Sequence, residues 1–255
     1  MSNMGSLLEL RNLTKTFGRL VALSDLSLTV QRGETLGLIG PNGSGKTTTF
    51  NLIMRELKQD EGEIFFEGKE ITKYPIQERV KMGIARTYQI PRPFAEMTVA
   101  ENIRVGIMPD KIISVMTMNI RDGLEREIGK SVGFKQHELS MYPSELSMGS
   151  LRRLELGRNM ATNPKLLLLD EVFAGLTVGE IAELSELLKE KKKEGLTFII
   201  VSHDLRSLGP LVDRVIVVSF GEVVAEGSFE EVIADEKVKE AYLGKEEDSH
   251  LELHK

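Results

Sequence analysis

Cysteine is missing from all 255 residues. That excludes disulfides, thiol catalysis and cysteine-ligated metal sites. Long apolar runs are missing as well. The runs at 166–169 and 198–201, unsurpassed in length, are strand-sized and fall far short of the ~20 residues a membrane helix needs. Positive charge is in deficit: 33 Lys and Arg stand against 39 Asp and Glu, a net charge of -6. The basic footprint of a nucleic-acid binder is therefore absent, and no nucleic-acid partner is expected. Residues 1–6 lack the charged start and apolar stretch of a signal peptide. A cytoplasmic chain is expected, one that can still dock on a membrane protein. With 41% hydrophobic residues, the chain can build a substantial core as one large domain or two small lobes. No internal repeat is visible.

One stretch organises the rest: Gly40-Pro41-Asn42-Gly43-Ser44-Gly45-Lys46-Thr47-Thr48. A short apolar segment at 35–39 precedes it and reads as a buried strand. Residues 49–54 follow and read as the start of a helix. Strand, glycine-rich turn and helix are the setting of a phosphate-binding loop. The glycines let several N–H groups point inward, and the helix aims its positive end at the same spot. A polyphosphate fits there, with Lys46 on the β- and γ-phosphates and the Thr47 hydroxyl on Mg²⁺.

Around that loop, residues 7–14 and 23–30 alternate as strands, with a turn expected at Phe17-Gly18-Arg19. Residues 62–71 read as a strand or hairpin turning near Glu67-Gly68. A helix is expected over 75–81 and a strand over 84–89. Pro91 and Pro93 then break the pattern. From Thr98, with Glu101 at capping-box spacing, the texture becomes helical. Residues 110–129 keep that spacing, so 95–147 should be a mostly helical insert. A helix is expected over 151–160, stopped at Asn163-Pro164. Residues 165–170 form an uninterrupted apolar run ending in a carboxylate, as in a strand buried on both faces. A helix over 180–194 carries Lys191, Lys192 and Lys193, read as a solvated face. A buried strand over 197–201 ends at Ser202-His203-Asp204. Two strands flank Phe220-Gly221, a short helix covers 229–234, and 245–255 is a loose tail. Strands alternating with helices argue for an α/β lobe with a mostly parallel sheet and a helical subdomain. Ligands of such sheets bind at the carboxyl ends of the strands. The loop, Gln89, Asp170, Glu171 and His203 all fall at expected strand ends.

Phosphoryl transfer needs positioning and charge neutralisation more than covalent chemistry. Asp170 can hold Mg²⁺ beside the loop. Glu171, one residue further out, can orient or deprotonate the attacking water. His203 can donate to the γ-phosphate. Phe17 can stack on a nucleobase or simply belong to the core.

These features together resemble the nucleotide-binding subunit of an ABC transporter. Five elements match in order between about 7 and 244: the phosphate loop (40–48), the Q-loop glutamine Gln89, the signature Leu146-Ser147-Met148-Gly149-Ser150, the acidic strand end (166–171) and the switch histidine His203. Phe17-Gly18 with Val21-Ala22-Leu23 is similar to the adenine-stacking segment. The resemblance implies a phosphate-loop NTPase of the ABC type. Its core spans 1–94 and 148–244, with a mostly parallel sheet and an antiparallel β subdomain. A helical subdomain occupies 95–147 and a tail 245–255. The resemblance also implies ATP and Mg²⁺ as ligands. Phe17, Asn42, Gly43, Ser44, Gly45, Lys46, Thr47 and Thr48 would hold nucleotide. Thr47, Gln89 and Asp170 would hold metal. Glu171, His203 and Gln89 would be catalytic. A head-to-tail dimer would set Ser147, Gly149 and Ser150 on the partner's nucleotide. The implied partners are membrane-spanning permease subunits, a second ATP-binding subunit (identical or not), and, indirectly, a periplasmic or extracellular binding protein. The implied place is the inner face of the cell membrane.

The chain departs from the family at four points. Met148 stands for glycine, Ser150 for glutamine, Val172 for proline and Thr177 for aspartate. Residues 85–89, 97–102, 152–155, 174–176 and 241–244 resemble the branched-chain amino acid uptake ATPases. The lipopolysaccharide-export ATPases are similar here too. A soluble ABC ATPase acting on other proteins, or a regulatory subunit with little turnover, are the alternatives.

Overall fold

The computed structural model describes residues 5–108, 123–236 and 238. Leucine alternation builds its first layer. Strands β1 (Leu8–Phe17), β2 (Leu20–Val30), β4 (Glu61–Phe66) and β5 (Lys69–Glu70) form an antiparallel sheet in the order β2-β1-β4-β5. Leu8 and Leu10 are buried, and so is Leu13, one residue out of strict alternation. A bulge supplies the extra residue: the register shifts between Leu10 and Leu13, where Asn12 takes a φ of 50°. Opposite it, Gly62 has a φ of 91°, and a Cβ there would lie 2.4 Å from the Asn12 carbonyl oxygen. Only glycine fits both demands. Gly62→Ala should therefore destabilise the fold by roughly 2–3 kcal/mol, read as a drop of roughly 5–10 °C in Tm. An unchanged melt would remove this bulge from the folding argument.

The second sheet holds β3 (Thr35–Ile39), β6 (Ile84–Arg86), β7 (Leu166–Asp170), β8 (Thr197–Val201), β9 (Arg214–Ser219) and β10 (Glu222–Gly227), ordered β10-β9-β3-β8-β7-β6. All neighbours are parallel except β10, which runs antiparallel at the edge. Every residue of β3, β7 and β8 is buried. The pleat splits them between two cores. Leu166 and Leu168 join the leucines of β1 and β2 and Phe50 of α1 (Lys46–Ile53). Leu167 and Leu169 face the other way. They join Val99 and Ile103 of α3 (Val99–Ile107), Leu154 of α5 (Met148–Met160) and Leu184 of α6 (Val178–Lys193). Arg79 of α2 (Ile76–Met82) ties the end of α1 to the segment that follows β5. Its buried guanidinium donates to the carbonyls of Leu52 and Ile53 at the end of α1, and to those of Ile71, Thr72 and Tyr74. The remaining helices are α4 (Leu124–Ser131), α7 (Leu205–Leu208) and α8 (Phe229–Ala234). Among the described residues, no helix is long and apolar enough to cross a membrane.

Several expectations shift. The strand over 84–89 stops at Arg86, because Tyr88 gives its N–H to the Glu155 side chain and its carbonyl accepts from Arg152. Phe17 closes β1 instead of entering the turn. The helix over 151–160 begins at Met148, since the Ser147 hydroxyl caps it by accepting from the Ser150 N–H at 3.2 Å. Lys191 is buried against Glu194 and Lys192 pairs with Asp213, so only Lys193 is part of a solvated face. The helical reading of 110–129 lies outside the described residues up to 122, and α4 runs on to Ser131. The readings at 241–244 and 245–255 also lie outside them.

Candidate active site

The turn from β3 into α1 needs its glycines for stated reasons. A Cβ on Gly40 would meet the Val218 carbonyl oxygen at 2.0 Å, and one on Gly45 the Ala22 carbonyl oxygen at 2.7 Å. Gly40, Gly43 and Gly45 take φ of 150°, 78° and 109°. The hairpin turn between β9 and β10 buttresses the loop, with the Gly221 N–H donating to the Ser44 carbonyl at 3.0 Å. Inside the curl, Lys46 Nζ donates to the carbonyl oxygens of Gly40 at 2.7 Å and Pro41 at 2.9 Å. Those bonds hold the buried ammonium at the loop's centre, where an anion would meet it.

A cleft of about 320 Å³ opens over this loop. Residues 42–48 form its floor. Phe17 lies on its wall, and Gln89, Asp170 and Glu171 complete it from the ends of β6 and β7. Val21 and Ala22 of the adenine-stacking likeness line it too, and so does Leu20, which the sequence does not mark; they extend the apolar wall begun by Phe17. Phe17 is 46% exposed, so it is not a core aromatic. Asp170 is buried and its Oδ2 accepts from Arg86 Nη2 at 2.8 Å. Arg86 also reaches Asn51 of α1 at 2.6 Å and Glu56 at 3.1 Å. This pairing joins strand β6 to the loop's own helix. Nothing in the sequence flagged it, because the partners are 84 positions apart.

Glu171 has a φ of 50°, a left-handed conformation costly for a side-chain-bearing residue. Its N–H donates to the Val201 carbonyl at 2.9 Å, anchoring it on β8. His203 Nδ1 lies 2.7 Å from Glu171 Oε2, and its own N–H points at the same oxygen at 3.4 Å. The pair stands at the ends of adjacent strands, as the register Asp170↔Val201 dictates. The cleft's oxygen donors, Thr47, Gln89 and Asp170, are hard ligands of the kind Mg²⁺ takes alongside substrate phosphates. The residues present therefore fit the metal.

Residues 23–174, more than half of the chain, match the family described as ABC transporter. The chain belongs to that family. Residues 222–248 match a second family, described as branched-chain amino acid ATP-binding cassette transporter. A probable branched-chain amino acid transport ATP-binding protein, LivG of Methanocaldococcus jannaschii, is 35% identical over 96% of this chain and 100% of its own. The lipopolysaccharide export system ATP-binding protein LptB of Haemophilus influenzae is 34% identical over 94% and 98%. A solved nucleotide-free cassette from an ABC transporter superposes with a TM-score of 0.84, at 34% identity over 93% of this chain and 99% of that one. A dimeric post-hydrolysis cassette bound to ADP and phosphate gives 0.75, at 26% identity over 87% and 98%. The chain has the ABC ATPase fold, and it is an ATP-binding, ATP-hydrolysing subunit of a transporter. Members of this family dimerise and work with membrane permease subunits.

In this ABC ATPase the signature does not line the cleft. None of Ser147, Gly149 and Ser150 is among its walls. They form the start of α5 instead. Met148 is 43% exposed there, so its bulk is accommodated at the surface. Helix α5 reaches the cleft by another route. Arg152 donates to the carbonyls of Tyr88 at 2.7 Å and Gln89 at 2.6 Å, while Glu155 accepts from the Tyr88 N–H at 2.7 Å. Burial raises the Glu155 carboxyl above its usual range, against the pull of that N–H and of Arg152. The sequence marked Arg152 and Glu155 only as likenesses; their grip on the Gln89 backbone is a tertiary fact.

Proposed function

We propose that this chain powers uptake of amino acids of the branched-chain type, as one of two ATP-binding subunits beneath membrane-spanning partners. The observation that carries the cargo reading is the match of residues 222–248 to the branched-chain cassette family. The likeness to LptB supports lipopolysaccharide export as the second reading. Under the first, an extracellular or periplasmic binding protein delivers cargo to the spanning subunits and never touches this chain.

The site works as follows in this proposal. The loop N–H groups and Lys46 bind the phosphates, and Phe17 stacks on the base. Thr47, Gln89 and Asp170 hold Mg²⁺, which when bound neutralises charge on the phosphate oxygens. Glu171 takes the proton of the attacking water, and His203 orients Glu171 through Nδ1. Ser147 and Gly149 serve the γ-phosphate of the partner's nucleotide, with Ser150 beside them. That trans role is supported by their absence from the cleft of their own chain. The core at 1–94 and 148–244 carries the chemistry, and the helical block at 95–147 transmits closure to the membrane subunits.

Those subunits dock at the groove between α2, α3 and α5. It is lined by Ile76, Tyr88, Arg92, Val105 and Arg158. Ile90 is 70% exposed beside it and Phe94 43%. Such an apolar patch with a cationic rim suits a short amphipathic helix of the spanning subunit. Tagged chain drawn from native membranes should bring down polytopic subunits of the amino-acid uptake class. Partners of the lipopolysaccharide class would sink the cargo reading. Phe94→Glu should abolish that capture and leave ATP binding by the isolated chain unchanged, since Phe94 stands outside the cleft. Capture at the ordinary yield would displace the docking surface.

A further inference from the structure

The donors at the start of α5 already serve an anion, and it belongs to the same chain. Glu180 Oε1 accepts from Ser147 Oγ at 2.9 Å and from the Gly149 N–H at 3.0 Å. Its Oε2 accepts from the N–H and hydroxyl of Thr177, both at 3.0 Å. The second pair is the capping box of α6, with Thr177 at the N-cap and Glu180 three residues on. One carboxylate thus spans two helix starts. Four donated bonds pull its carboxyl down to about 2, so it is an anion at any physiological pH. Gly149 makes room for it: a Cβ there would lie 2.6 Å from Glu180 Oε1. Arg153, on the same helix, is engaged elsewhere: it donates to Ser150 Oγ at 2.9 Å and pairs with Glu183.

We infer that Glu180 is an internal stand-in for the γ-phosphate, which the partner's nucleotide must displace before the signature can engage. The inference rests on the proposed trans contact. Ser147 Oγ has one hydrogen and the Gly149 amide one, so each donates to one anion at a time. Two anions at one helix start would also repel. The bonds from Thr177 to Oε2 give the displaced carboxylate a place to stay, so closing costs two bonds and not four. A nucleotide ending at the β-phosphate lacks the group that would replace them. Glu180 is then a specificity-determining residue, one that raises the ATP concentration required for closure and widens the gap between ATP and ADP.

The test uses the full chain in the Glu171→Gln background, with dimer followed by light scattering against Mg-ATP concentration. Glu180→Gln keeps the capping box, which glutamine also serves, and removes the charge. Half-dimerisation should then require roughly tenfold less ATP, within the range of ordinary coupling between sites. Glu180→Ala should shift the same way, because Thr177 still caps α6 through the N–H of residue 180. It therefore serves if the glutamine variant folds poorly. A carboxylate that only caps its helix would lower Tm and leave the ATP requirement where it was, or raise it; that result overturns the inference. Ser147→Ala in the same background reads the trans contact separately. If it dimerises like its parent, the head-to-tail reading fails. If it stays monomeric while Glu180→Gln is unshifted, only the stand-in fails.

Discussion

Glu171→Gln abolishes steady-state ATP hydrolysis and leaves a stable ATP-bound dimer. Glu171 follows a strand buried along its whole length and takes a left-handed conformation. A strained residue persists only where its surroundings hold it, and here the Val201 carbonyl and His203 do so. The carboxylate that results lines the phosphate cleft. Glutamine keeps the size and the approach to His203 but cannot take a proton. Loss of a general base costs roughly 10²–10⁴ in rate, so residual turnover should fall to the floor of a phosphate-release assay. Binding should survive, because the loop and Lys46 are untouched. With the γ-phosphate uncleaved, the two halves stay closed, and the dimer should be visible by light scattering. Turnover at the parent rate would remove Glu171 from the chemistry.

Lys46→Ala should all but eliminate nucleotide binding. The ammonium is buried and held by the Gly40 and Pro41 carbonyls at the loop's centre. A charge-assisted bond to phosphate contributes roughly 1.5–3 kcal/mol, or about 10- to 100-fold in Kd. The truncation also strips a donor from two loop carbonyls, so the loop itself loosens. Both effects weaken ATP and ADP alike, unlike changes at Glu180, which separate the two. Calorimetric titration with Mg-ATP reads the first effect. A melt without nucleotide reads the second. Parent-like affinity in this variant would place the phosphates somewhere other than this loop.

Much of this was visible in the linear chain, and particular residues show why. Gly40 to Thr48 is contiguous, so strand, turn and helix follow from local rules alone. Thr98 with Glu101 announces α3 through a box three residues wide, and the structure forms that box. The apolar run at 166–170 could only be a strand covered on both faces, and it is. Leu13 defeated strict alternation because its bulge depends on Gly62, 49 residues away on another strand. Lys191 reads as solvated in the sequence yet is buried, because its burial depends on how α6 lies on the sheet, while local pattern shows only three like charges in a row.

The order of residues by itself determined the phosphate loop, the acidic strand end and the alternation of strands and helices. Each of these is decided by groups within a few positions of one another, where backbone geometry and capping act directly. Only the tertiary structure decided that Arg86 holds Asp170, that Arg152 and Glu155 grip the backbone beside Gln89, and that Glu180 lies on the signature. Those contacts join elements 31 to 84 positions apart. A long side chain can reach many partners from one Cα, and packing of the sheet and helices selects which one it meets.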